Sequence, residues 1–120
     1  ISIELDSNIE DRTFDDLAND DPRYARPLIS RGSTYLQMNV CGSHPSECAH
    51  NAMADAKTAL EFLKQRFNTP EWDFYKPTIN LQLSDAHQLL GDSYSALDRT
   101  SQYDFSEEAR NEYEQASKYR

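Results

Sequence analysis

Cys41, His44, Cys48 and His50 bring four metal-ligating side chains into ten residues, in the pattern Cys-x2-His-x3-Cys-x-His. Four such ligands are what a tetrahedral zinc ion takes, and copper accepts the same donors. Structural sites, however, normally draw their ligands as two pairs from separate elements, and one short loop seldom supplies all four. The same two cysteines could instead form a disulfide or remain as two thiols. A Cys41–Cys48 bridge would close a small loop and contribute about 2 kcal/mol at most. A second constellation is His87, flanked by Asp85 and Asp92. An Asp–His pair can do general acid–base work, but a histidine at this spacing also fits a helix-packing role. No nucleophile stands beside a matched base. With three glycines in the chain there is no glycine-rich phosphate loop either. The expectation is a protein that is not an enzyme and needs no cofactor.

The elements that would hold these residues are helices. Leu28, Ile29, Gly32, Tyr35 and Leu36 have three-to-four spacing, which predicts a first helix opened by Pro22 or Pro27 and stopping near Asn39 to Gly42. Ser46 is placed to cap a second, alanine-rich helix along Ala49, Ala52, Met53, Ala56, Ala59, Leu60, Leu63 and Phe67. An aromatic connector over residues 68–77, with Trp72, Phe74 and Tyr75, leads to a third helix from about Thr78 to Asp98. The segment from Arg99 to Tyr103 reads as a loop. Asp104, with Glu107 three positions on, has the spacing of a capping box for a fourth helix. The fold class expected is all-α: two antiparallel helical hairpins, about 22–67 and 78–120, preceded by an arm.

That arm, residues 1–21, holds eight carboxylates against Arg12 and so supplies −7 of the net charge of −9. It reads as an extended or partly ordered acidic segment, with Phe14 and Leu17 docking on the helical body. Phosphate backbones demand clustered lysine and arginine, and none is present, so nucleic acid is disfavoured as a partner while a basic protein is compatible. No run of about 18 apolar residues occurs, so no helical membrane span is expected. Paired cysteines and an opening Ile1 in place of Met lean toward an exported, periplasmic or extracellular protein.

The two halves repeat. His87-x2-Leu90-Gly91-x2-Tyr94 aligns with Leu28-x2-Arg31-Gly32-x2-Tyr35, and Ala109-x3-Tyr113-x2-Ala116 aligns with Ala52-x3-Ala56-x2-Ala59. The two glycines lie 59 residues apart. This pattern resembles the tetratricopeptide repeat, whose first helix carries Leu-Gly-x2-Tyr and whose second carries Ala-x3-aromatic. The resemblance spans roughly residues 24–120 in two units with long hairpin loops, and Arg31 stands where the family carries an apolar residue. A four-helix bundle is the other architecture compatible with the spacing. The resemblance implies a groove along the first helix of each unit, lined by Arg26, Ile29, Ser33 and Gln37 and by Asp85, Gln88, Asp92 and Ser95. Asp85 and Asp92 would repel a carboxylate, so the resemblance favours a basic or polar peptide over the terminal carboxylates that part of the family grips. Trp72 is a further contact candidate, because tryptophan is enriched in binding hot spots, though most aromatics in such a connector plug a core.

The function expected is protein binding through the helical groove, as an adaptor. Two alternatives stay open: a small acidic inhibitor or immunity-type protein that neutralises a basic enzyme, and a sensor or carrier with a metal in the Cys41–His50 loop.

Overall fold

The computed structural model describes residues 25–38, 41, 42, 44 and 46–120. The acidic arm, and Pro22 as a helix start, lie outside the described residues. Those described form an all-α fold of four α-helices and one 3-10 turn, with no strand among them. The helices are α1 (Ala25–Gln37), α2 (Glu47–Phe67), α3 (Lys76–Thr100) and α4 (Ser106–Lys118), and the 3-10 turn runs Pro70–Tyr75.

Each helix follows from its apolar stripe. In α1, Ala25, Leu28, Ile29 and Gly32 are buried at helical spacing, and Pro27 is tolerated because the first turn has no intrahelical partner for its missing N–H. The helix ends at Gln37, two residues short of the expected stop, and the Met38 N–H donates to the Tyr35 carbonyl at 3.1 Å in a tightened last turn. In α2, Cys48, Ala49, Ala52, Asp55, Ala56, Ala59, Leu60 and Leu63 are the buried set. Alanine keeps that stripe low, so both neighbours approach closely. Lys64 and Arg66 in its last turn complement the negative end of the helix dipole.

Other boundaries also differ from the expectation. Ser46 makes no side-chain cap; its hydroxyl lies 3.1 Å from His44 Nδ1 instead. The third helix begins at Lys76, because the 3-10 turn runs straight into it and Pro77 fits its first turn. The fourth begins at Ser106 with no capping box. Asp98 accepts the Phe105 N–H at 2.8 Å and the Phe105 ring stacks on Tyr94 at 5.8 Å, which pins Phe105 just outside the helix. Asp104 Oδ1 then accepts both the N–H and the hydroxyl of Ser106, at 2.9 and 2.6 Å. Those bonds hold the Asp104 carboxyl below its ordinary 3.8.

Helices adjacent in sequence pack together, and α1 also lies beside α3. One core joins α1, α2 and α3, with Leu28, Leu63, Ile79 and Leu83 fully enclosed. Arg26 and Asp85, 59 positions apart like the two glycines, form an ion pair at 2.7 Å. Equivalent residues of the two hairpins therefore meet, and α1 and α3 run side by side in the same direction. The molecule is flat, 44 × 38 × 16 Å.

Candidate functional site

The small residues create the site by letting helices close up. A Cβ on Gly32 would lie 2.5 Å from Leu89 Cδ2 and 3.4 Å from the Ala52 carbonyl oxygen. One on Gly91 would lie 2.8 and 2.9 Å from the Tyr113 ring. Gly32 thus brings α1 onto α2 and α3, and Gly91 seats a tyrosine of α4 against α3. Arg31, beside Gly32, reaches Asp55 on α2 through Nε and Nη2, at 2.8 and 2.6 Å. Asp55 is buried, so this two-pronged pair supplies the partner its carboxylate needs.

Between α1 and α3 lies an open cleft of about 410 Å³. Ser33 and Gln37 line it from one helix, Asp92 and Ser95 from the other. These are four of the eight positions named from the repeat. Gln88 donates to Asp92 Oδ1 at 3.3 Å, behind the cleft wall. Arg26 and Asp85 are committed to each other. Ile29 is corrected: it is 4% exposed and belongs to the core, because the α1 face that meets α2 and α3 is wider than the groove pattern allows.

Three further residues complete the cleft: Leu36, Arg99 and Tyr113. The Tyr113 hydroxyl donates to Asp92 Oδ1 at 2.7 Å and lies 3.2 Å from Ser95 Oγ. Burial raises the Tyr113 phenol above its ordinary 10.0; the Ser95 hydroxyl and Arg99 act against the rise, and Asp92 adds to it. The phenol is therefore a neutral donor at physiological pH. The sequence reads Arg99 as loop, yet α3 continues to Thr100, and Arg99 follows Asp92 and Ser95 at seven and four positions on one helical face. In the sequence Tyr113 stands out only as the aromatic of the repeat.

The cysteine loop is a disulfide. Cys41 and Cys48 are bonded, with their Cα atoms 5.1 Å apart, and in that state neither offers a thiolate to zinc or copper. Among the described residues no group of three or more His, Cys, Asp or Glu is placed to hold a metal ion. His44 and His50 instead line a largely apolar cavity of about 500 Å³ with Leu97, Tyr103 and Phe105.

His87 packs. It is 4% exposed, its Nδ1 lies 2.7 Å from Glu112 Oε1, and its ring stacks on Tyr119 at 5.7 Å. Asp85 and Asp92 both make other bonds, so the Asp–His pair that the spacing would also allow does not form. Trp72 is half-buried against the core, under the Arg66 guanidinium at 5.3 Å and beside Tyr75 at 5.5 Å, and does not line the cleft. No helix among the described residues is long and apolar enough to cross a membrane. Comparison with protein-family models, curated proteins and solved structures finds no match for the chain.

Proposed function

We propose that this chain is a non-enzymatic interaction module that holds a segment of a partner protein in the cleft between α1 and α3, in the manner of a tetratricopeptide-like hairpin pair. The observation that carries the reading is the convergence of Ser33 and Gln37 with Asp92 and Ser95 on one open, mostly polar cleft. Two features support the repeat-like part. Residues one repeat apart, Arg26 and Asp85, touch, and α1 lies beside α3 while each second helix packs behind its own first. Exposed hydroxyl, amide and carboxylate groups on two rigid helices suit recognition of a peptide backbone and its polar side chains. Two buried side chains with acid–base capacity are spent elsewhere, His87 on Glu112 and Asp55 on Arg31.

Selection from a displayed library of random peptides tests the reading. Peptides should be enriched on the wild-type protein and should lose binding to Ser33→Trp/Gln37→Trp, in which two exposed positions fill the cleft without entering the core. If none is enriched, or the enriched peptides bind the double variant equally well, the cleft is not the binding site.

A further inference from the structure

The cleft between α1 and α3 is half of a longer groove. Ser95, Arg99 and Tyr113 also line a second hollow, of about 340 Å³, which continues over α4 past Asp98, Ser106 and Arg110. The charges along it are ordered. On the α1 side stands Asp92, with both its hydrogen bonds on Oδ1 and no partner for Oδ2 among the described residues. Arg99 of α3 stands where the two hollows join and Arg110 stands on α4, both exposed and neither ion-paired among the described residues. Asp98 shares the second hollow, but its Oδ1 is committed to the Phe105 N–H, and its single charge offsets one of two arginines. Asp92 therefore belongs to the first hollow alone, Arg99 to both, and Arg110 with Asp98 to the second alone, so the carboxylate lies at one end and the net positive charge toward the other.

Resting on the groove reading above, we infer that the ligand is an internal peptide segment with two opposite charges, a lysine or arginine over Asp92 and a glutamate or aspartate between Arg99 and Arg110. Asp92 and Arg99 are seven residues apart on α3, about 10 Å along the helix axis. Three residues of extended chain span about the same distance. A basic and an acidic side chain three positions apart therefore reach both ends together, and closer or like charges do not. The partner is then neither uniformly basic nor uniformly acidic, and opposite-sign placement sets its register and rejects segments that put a like charge at either end. In the sequence alone Asp85 and Asp92 are two open carboxylates, which favours a basic or polar peptide. Asp85 is neutralised by Arg26, and the two arginines come together only through the turn that brings α4 back along α3.

The test uses the full chain and peptides blocked at both ends, followed by amide shifts in nuclear magnetic resonance. The probe is acetyl-Ser-Lys-Ser-Ser-Glu-Ser-amide, with controls carrying Gln for Lys, Gln for Glu, or Lys and Glu adjacent. A fifth peptide lacks the Glu and ends in a free carboxylate. The probe should shift Ser33, Ser95, Arg99 and Arg110 and bind about tenfold tighter than each control, a difference of about 1.4 kcal/mol. Arg99→Glu/Arg110→Glu, altered at two exposed positions, should reverse the preference and favour a peptide with Lys in place of Glu. Equal binding of probe and controls, no shift at about 1 mM peptide, or an unchanged preference in the double variant overturns the inference. Equal binding of the free-carboxylate peptide overturns the internal side chain as the source of the anion. Should display-selected peptides still be blocked by Ser33→Trp/Gln37→Trp while showing no paired charges, the groove stands and only its charge code falls.

Discussion

At the scale of single residues, two pairs decide how closely the helices meet. Arg31 and Asp55 are unequal partners: the arginine side chain is 42% exposed, the carboxylate only 7%. Removing the arginine strands a buried charge, whereas removing the carboxylate leaves a guanidinium that water can reach. Arg31→Leu is expected to cost about 2 kcal/mol and Asp55→Ala clearly less, while the double variant recovers most of the loss. Urea denaturation of the three variants checks this, and additive losses would show that the pair is not coupled. Gly91 and Tyr113 form the second pair. An alanine at Gly91 gains helix propensity but drives its Cβ into the Tyr113 ring, so a net loss of about 1 kcal/mol is expected. The ring should also swing off Asp92. Its raised phenol pKa means the folded chain favours the neutral form, a stabilisation complete below the unfolded value near 10 and lost as pH rises through the folded value. The phenolate titration of Tyr113, read as wild type minus Tyr113→Phe, should move down toward the ordinary value in Gly91→Ala. An unmoved titration would mean that the ring stays in place.

At the scale of elements, the α1–α2 connection is tied by Cys41–Cys48 while the α3–α4 connection is tied by side chains, Asp98 on Phe105 and Phe105 on Tyr94. The disulfide spans seven positions, so by chain entropy its reduction should cost about 2 kcal/mol and leave the helices intact. Circular dichroism with and without reductant reads this directly: a lower denaturation midpoint with unchanged helix signal is the expected result, and loss of the α1–α2 helix signal at zero denaturant would contradict it. Much of this level was legible in the sequence. The three-to-four spacing of α1 and the alanine stripe of α2 placed both helices, since each must bury one face. The starts of α3 and α4 were misplaced for a physical reason. The aromatic connector winds into a 3-10 turn continuous with α3, and Asp104 spends its carboxylate on Ser106 rather than on a capping box.

At the scale of the whole molecule, α2 and α3 bind the two hairpins into one unit, since each packs on both of its sequence neighbours. The radius of gyration, 15.2 Å, exceeds the value of about 13 Å for a compact domain of this size. The excess reflects a flat row of helices rather than loose packing. Trp72 sits at the junction of the hairpins, against the core and Arg66, and so reports on their contact. Unfolding in urea should give one transition, with Trp72 fluorescence and helix circular dichroism superimposed. Two separated transitions would show that the hairpins unfold independently, as weakly coupled repeats do.

Taken by itself, the sequence determined the all-α class, the repeat of the two glycines, the helix stripes and the packing role of His87, because these depend on local periodicity and on residue size. It also brought Cys41 and Cys48 within reach of one another but left metal, disulfide and thiol open, since the spacing suits all three. Tertiary structure decided the rest. It joined the cysteines, moved Ile29 from groove to core, paired Arg26 with Asp85 and set Arg99 beside Tyr113 and Arg110. Whether a charge is open or spent depends on what another helix brings to it, and that information is absent from any single stretch of chain.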